Sequence, residues 1–232
     1  GRAILPAVQR FASQMEQLEL TVREATAGQS GTLTIGAISS ALVDAIPPLV
    51  DQFKQAHPDV SVSVREIDSA EAIPALQAGE LDLAFARLQG ELGSDISTKL
   101  LAQDRMAVAL PSKHRLAGSQ SIRLGQLVDE PFVMFMRQVS PVYFDSIIAG
   151  CQAHGFSPRV LHDVRSVAAQ IALVGCGQGV ALIPSGLKRL APENVLVKPL
   201  KEEIEVVTTA VAWRRNSFNP ALQLALSTWK WA

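Results

Sequence analysis

The chain reads as an α/β protein: two Rossmann-like βαβ lobes joined by two crossing strands and preceded by a long helix. Three observations lead to this. Gly31 to Ser40, GTLTIGAISS, alternates Thr32 and Thr34 with Leu33 and Ile35, breaks at Gly36 and delivers two serines to a following helix. The order strand, helix, strand, helix, strand then occurs twice, and Gln55-Ala56-His57 and Ser69 recur at one common offset as Gln152-Ala153-His154 and Ser166. Finally, two strand-like runs, one ending at Pro111 and one from Glu205 to Trp213, stand where the chain must pass from one repeat to the other and back.

In the first repeat, Leu42, Ala45, Ile46, Leu49, Val50 and Phe53 recur at steps of three and four, so Ala41 to Ala56 is predicted as one helix with an apolar face. Val60 to Ile67 is the next strand. A strand, a polar turn, a helix and a strand make the two strands parallel and put the turn at the carboxyl edge of the sheet, where α/β proteins hold ligands. Ser69 to Gln77 follows as a short helix stopped by Gly79, then Leu81 to Leu88 as a third strand. The strand-like run Arg105 to Leu110 ends in Pro-Ser-Lys-His, and the first crossing is expected there.

In the second repeat, Pro131 to Met136, Arg159 to Val164 and Gly179 to Ile183 are predicted strands, with Ser140 to His154 and Val167 to Val174 as the helices between them. Pro184 to Leu190 is a short helix. Pro220 to Trp231, amphipathic through Leu222, Leu224, Leu226 and Trp229, is expected to return to the first lobe. Ahead of both repeats, Leu5, Val8, Ala12, Met15, Leu18, Val22 and Ala25 form a narrow seam at three- and four-residue steps, which normally meets another helix. The expected domains are a linker and dimerisation helix over 1–28, lobe I over 31–110 plus 207–232, and lobe II over 111–206.

Composition narrows the function. Lys plus Arg, 21, balances Asp plus Glu, 22, and without a basic run these residues lack the electrostatic footprint of a nucleic-acid binder. No apolar run approaches the roughly 20 residues of a membrane span. Cys151 and Cys176 have neither metal nor framework spacing and read as buried thiols of a reducing compartment, the cytoplasm, with a single disulfide as the lesser alternative. The four histidines have no ligand spacing, and Gly175, Gly177 and Gly179 precede a strand, the reverse of a dinucleotide-binding turn. Ser185 lacks the Gly-x-Ser-x-Gly elbow. No catalytic set, metal site or cofactor motif stands out.

The remaining signal is small hydroxyl residues at helix starts: Ser39, Ser40, Ser69, Ser140 and Ser166. A helix start offers free N–H groups and the positive end of a dipole, so a cleft faced by several of them suits an anion, most simply a carboxylate. Each serine taken alone is better explained as an N-cap, and it is their convergence on one cleft that argues for a ligand. Tyr143, one turn after Ser140, is placed either against the ligand or in packing between the lobes. Gln138 and Arg137 are further polar candidates, and Arg87, at the end of the third strand, either faces the anion or pairs within its lobe.

These stretches resemble a known family. GTLTIGAISS, LQAGELDLAFARL and GCGQGVALIPSG are similar to three recurrent stretches of the effector domain of LysR-type transcriptional regulators, and Gly1 to Leu5 resembles the end of their DNA-binding domain running into the linker helix. Phe85-Ala86-Arg87-Leu88, Asp163-Val164-Arg165 and Ser140-Pro141-Val142-Tyr143-Phe144 look like the branch that senses aromatic-degradation intermediates such as muconates. The resemblance implies a type 2 periplasmic-binding-protein-like fold and an effector between the lobes touching Ser39, Ser40, Ser69, Pro141, Val142 and Tyr143, where Val142 replaces a position that is sometimes polar. It also implies no enzymatic activity, a homodimer or homotetramer, operator DNA contacted through an N-terminal winged helix-turn-helix ahead of Gly1, and RNA polymerase as a further partner. Two other classes compete: an extracytoplasmic solute-binding protein for a small anion, which shares the two-lobe plan, and an enzyme using Asp68, Glu71 or Arg87.

Overall fold

The computed structural model describes residues 8, 11–12, 14–15, 31–101, 105–204 and 209–229. The described residues of the leading segment are helical and exposed; the rest of the expected seam lies outside the described residues, as do 205–208 of the expected returning strand. The chain divides into two compact units, the first containing the described residues through Ala86, Gly90–Leu101 and Ala210 onward, the second Arg87–Gln89 and Ala102–Thr209.

In the first unit a five-stranded sheet has the order β2-β1-β3-β10-β4, with β1 Thr32–Ala37, β2 Ser61–Glu66, β3 Leu83–Arg87, β4 Ile96–Leu100 and β10 Thr209–Arg214. β1 pairs in parallel with β2 on one side and β3 on the other. A strand flanked on both sides and covered by helices must be apolar, and Leu33, Ile35 and Ala37 have no exposed surface. Gly36 does not break the strand, as its residue type suggested; it pairs with Arg65 and Ala84. A Cβ there would stand 2.5 Å from Leu81 Cδ1 and 2.9 Å from Ile67 Cδ1, so a larger residue would force those two buried side chains to shift.

The predicted single helix after β1 is two: α1 Ser39–Asp44 and α2 Ile46–Ala56, separated at Ala45. Pro47 and Pro48 are the cause, because neither has an N–H to bond back into the preceding turn, while both fit the first turn of a new helix. The next helix begins as a 3₁₀ turn, Ser69–Glu71, before α3 Ala72–Ala78, and stops at Gly79 with φ 77°. α6 Pro220–Thr228 returns to this unit: the Asn219 side chain caps it by accepting from Ala221 N–H and donates to Thr32 O at 2.9 Å. Trp229 Nε1 donates to Leu49 O at 2.8 Å, with its ring edge-on to Phe53 and Phe85.

The second unit contains the antiparallel sheet β8-β5-β9, formed by β5 Met106–Pro111, β8 Ala181–Pro184 and β9 Val195–Pro199, and the parallel pair β6 Pro131–Phe135 and β7 Arg159–Val164. Phe132 and Val180 bridge the two sheets in parallel. The helices are α4 Pro141–Ala153 and α5 Val167–Gly175, and Ser185–Leu190 is a 3₁₀ helix rather than a full one. The order β7-β6-β8 reproduces β2-β1-β3, so both repeats place their first strand centrally. One expectation is corrected: Met106–Pro111, assigned from sequence to the end of lobe I, is the middle strand of the second unit's sheet. Its run of five buried residues is what a strand paired on both edges requires.

Both cysteines are free thiols, but only Cys151 is buried; Cys176, expected to be buried, is exposed at the end of α5. Burial pushes the Cys151 thiol up to about 11, so it stays protonated at neutral pH. Iodoacetamide is therefore expected to label Cys176 alone in the native chain and Cys151 only after denaturation. Equal labelling of both in the native state would contradict the placement of α4 over its sheet. Gly36→Val is expected to lower unfolding free energy by about 1–3 kcal/mol through overpacking, read as a reduced denaturant midpoint. An unchanged midpoint would mean that Leu81 and Ile67 yield freely.

Candidate functional site

Each unit presents helix starts just past the carboxyl ends of its parallel strands. In the first unit, Ile38 in extended conformation is the N-cap of α1 and no side chain caps the helix. Ser39 and Ser40 occupy the first two helical positions instead of the cap, and the first turn has no acidic residue. The Ser39 hydroxyl donates to the Glu66 carboxylate at the end of β2, so its one proton is committed within the unit. Ser40 is buried.

Ser69 follows Asp68, whose carboxylate accepts the Glu71 N–H while Glu71 Oε2 accepts the Asp68 N–H at 3.0 Å, a reciprocal capping box. Two carboxylates at this start satisfy its amide donors and oppose a third negative group. The serines of the first unit thus differ: no side chain caps α1, whereas the turn at Ser69 carries two carboxylates of its own.

In the second unit the start of α4 is the least satisfied. Ser140 is its N-cap, but the side chain makes no capping bond, and no acid lies in the first turn. Ser140 is 7% exposed and its Oγ has no hydrogen-bond partner among the described residues. A buried hydroxyl left unpaired costs about 1–3 kcal/mol. Pro141 at the first helical position has no N–H, which leaves the backbone amide of Val142 as the first donor along this start.

Tyr143 is buried, and the Arg87 guanidinium carbon lies 4.4 Å from its ring centroid, a cation–π contact that stations a positive charge beside the helix start. The Tyr143 hydroxyl is 3.5 Å from Leu182 O and 3.9 Å from Met106 Sδ. Arg87 is itself buried, only 8% exposed.

Other sequence candidates have structural employment. The Ser166 hydroxyl accepts the Ala169 N–H at 3.2 Å, the ordinary N-cap of α5. Gln138 is exposed in the turn ahead of Ser140. Arg137 makes a two-pronged ion pair with Asp145 at 2.8 and 2.7 Å, which holds the Asp145 carboxyl below the usual carboxylate range. Among the described residues no group of His, Cys, Asp and Glu is arranged to hold a metal, and no helix is long and apolar enough to cross a membrane.

Sequence reasoning did not single out Gln170. It is a lone polar side chain in the apolar run of α5, 2% exposed, with Nε2 donating to Val133 O at 2.9 Å and Oε1 without a partner among the described residues. Its signal was available as an interruption of VAAQIALVG, but a single glutamine in a helix has no specificity. Glu66 was missed because nothing in a strand sequence shows that its last residue reaches a helix start.

Comparison with known proteins agrees with this architecture. The LysR substrate binding domain family matches residues 26–229. The HTH-type transcriptional regulator BudR of Raoultella terrigena is 32% identical over 189 residues, 81% of this chain and 65% of BudR, so the chain spans slightly under two thirds of that regulator. Among solved structures, the BenM effector binding domain with its effector benzoate superposes with a TM-score of 0.75 at 24% identity, covering 86% of this chain and 90% of that one. The effector binding domain of QuiR in complex with shikimate does so with a TM-score of 0.74 at 24% identity, covering 86% and 95%. The type 2 periplasmic-binding-protein-like fold expected from the sequence is the fold of these effector domains. Two βαβ repeats with a central first strand and a match across nearly the whole described chain lead to one conclusion: this protein belongs to the LysR substrate binding domain family.

Proposed function

We propose that this chain senses a small organic carboxylate for a bacterial LysR-type transcriptional regulator and biases DNA contacts made elsewhere in the full-length protein. The observation that supports it best is the buried, unpartnered Ser140 hydroxyl at the head of a thirteen-residue helix with no acid in its first turn. A carboxylate there would accept from Ser140 Oγ and from the Val142 amide, with the Arg87 charge close by. The neighbours' bound molecules, benzoate and shikimate, are both carboxylic acids, in keeping with this chemistry.

Of the residues first expected at the ligand, Pro141, Val142 and Tyr143 follow Ser140 directly along the start of α4, and Arg87 lies against the Tyr143 ring. Ser166 and Gln138 rank last, the one being a cap and the other a turn residue.

The bound acid would stabilise one conformation of the regulator over another, which is all that an effector needs in order to change an assembly. We take that assembly to be a homodimer or homotetramer that acts in the cytoplasm on operator DNA and, through it, on RNA polymerase. The relatives are transcriptional regulators, which favours a sensor over an enzyme and over a solute-binding protein.

Calorimetric titration with benzoate tests this. Ser140→Ala is expected to weaken binding by about 1.5–3 kcal/mol, the scale of a hydrogen bond to a charged group. Binding of sugars or amines in place of carboxylates, or benzoate affinity unmoved in Ser140→Ala, would contradict the reading.

A further inference from the structure

Tyr143 is the only tyrosine of the chain, and it stands in the first turn of α4. A long side chain on a helix leans toward the helix N-terminus, so this ring covers the turn that opens at Ser140. It is 4% exposed and fixed by its surroundings in the second unit: Phe135 meets it edge-on, with centroids 6.2 Å apart at 78°, and Met106 and Leu182 stand at its hydroxyl end. The contact that involves a charge is made by the ring. Arg87, which belongs to the same unit, lays its guanidinium carbon 4.4 Å from the ring centroid.

A guanidinium needs such a seat here. The first turn of α4 contains no acid, and the positive end of a helix dipole repels a cation, so the helix start by itself works against holding Arg87 near. Arginine is also long and rich in rotamers. The negative face of an aromatic ring offsets both effects, because it attracts the cation and fixes its plane. An anion that arrives then meets a charge already in place, and none of its binding energy is spent on ordering the arginine.

We propose that Tyr143 is a positioning residue of the carboxylate site: the face of its ring seats the Arg87 guanidinium beside the start of α4, and it raises the affinity for an anion through that charge rather than by touching the ligand. The inference rests on the carboxylate site described above and adds the residue that keeps its charge in place.

Benzoate is titrated calorimetrically into the wild-type chain, Tyr143→Leu, Tyr143→Phe, Arg87→Gln and the double variant of Arg87→Gln with Tyr143→Leu. Tyr143→Leu keeps apolar bulk but removes the negative face, and it is expected to weaken benzoate roughly three- to tenfold. Tyr143→Phe keeps the face and is expected to restore the affinity. In the Arg87→Gln background the Tyr143→Leu change is expected to cost nothing further, because the ring acts through the charge that it holds. Packing alone would not depend on Arg87. Equal losses in both backgrounds therefore overturn the inference, and so does a Tyr143→Phe variant as weak as Tyr143→Leu, which assigns the effect to the hydroxyl.

The Arg87 Nε–H resonance gives a reading in the wild-type chain, where no variant has to fold. Protons over an aromatic face resonate upfield, so this one is expected upfield of the exposed arginines and to move as benzoate saturates. An Arg87 proton at the ordinary position and unmoved by benzoate, while the Val142 amide shifts, overturns the inference and leaves the carboxylate site standing. If the wild-type chain binds no benzoate, the carboxylate site itself fails and this inference with it.

Discussion

A helix that begins at the carboxyl edge of a parallel sheet starts with amide groups that the helix cannot satisfy, and something else must take them. In this chain that constraint is met differently at each start. Asp68 and Glu71 close the one at Ser69, the Ser166 hydroxyl closes part of α5, and α1 and α4 are left without side-chain caps. What distinguishes α4 is that its own cap residue is buried and unpaired while a guanidinium stands over the neighbouring aromatic ring. A fold that tolerates an unpaired buried hydroxyl gives up stability at that point, and ligand sites are where proteins keep such deficits.

The two repeats solve one packing problem twice. Each begins with a strand that becomes central because its second and third strands pair on either side, so its inward residues must be apolar: Leu33, Ile35 and Ala37 in one, Phe132, Val133 and Met134 in the other. The first repeat adds a further demand at Gly36, where Leu81 and Ile67 press against the backbone. The second unit instead extends its sheet through β5, which the antiparallel strands β8 and β9 enclose.

Much of this was legible in the sequence, because period and punctuation survive translation into structure. The β1 alternation, the apolar steps of α2, the stop at Gly79 and the second repeat from Pro131 to Pro184 all rest on local rules. Where those rules ran out, tertiary pairing had decided. β4 lies at an edge with three exposed residues and gave no apolar run to notice, and β9 is too short to separate from a loop. β5 was read as a strand but given to the wrong lobe, since a strand's partners are not written in it. For the site, the serines were visible as a class, yet only contacts separate the capped Ser166 from the unpaired Ser140, and Gln170 becomes meaningful only once Val133 is seen to take its NH₂. The proline pair that divides α1 from α2 was legible and should have been given more weight than the apolar steps.

The claim on which the functional account turns is that a carboxylate sits on the first amide of α4. Backbone ¹⁵N–¹H spectra recorded during a benzoate titration test it most directly, because an amide that begins to donate to an anion shifts its proton resonance downfield. The account predicts a saturable downfield shift of the Val142 amide with benzoate and none with benzylamine. Saturable shifts elsewhere in the chain, with this amide unmoved, would contradict it.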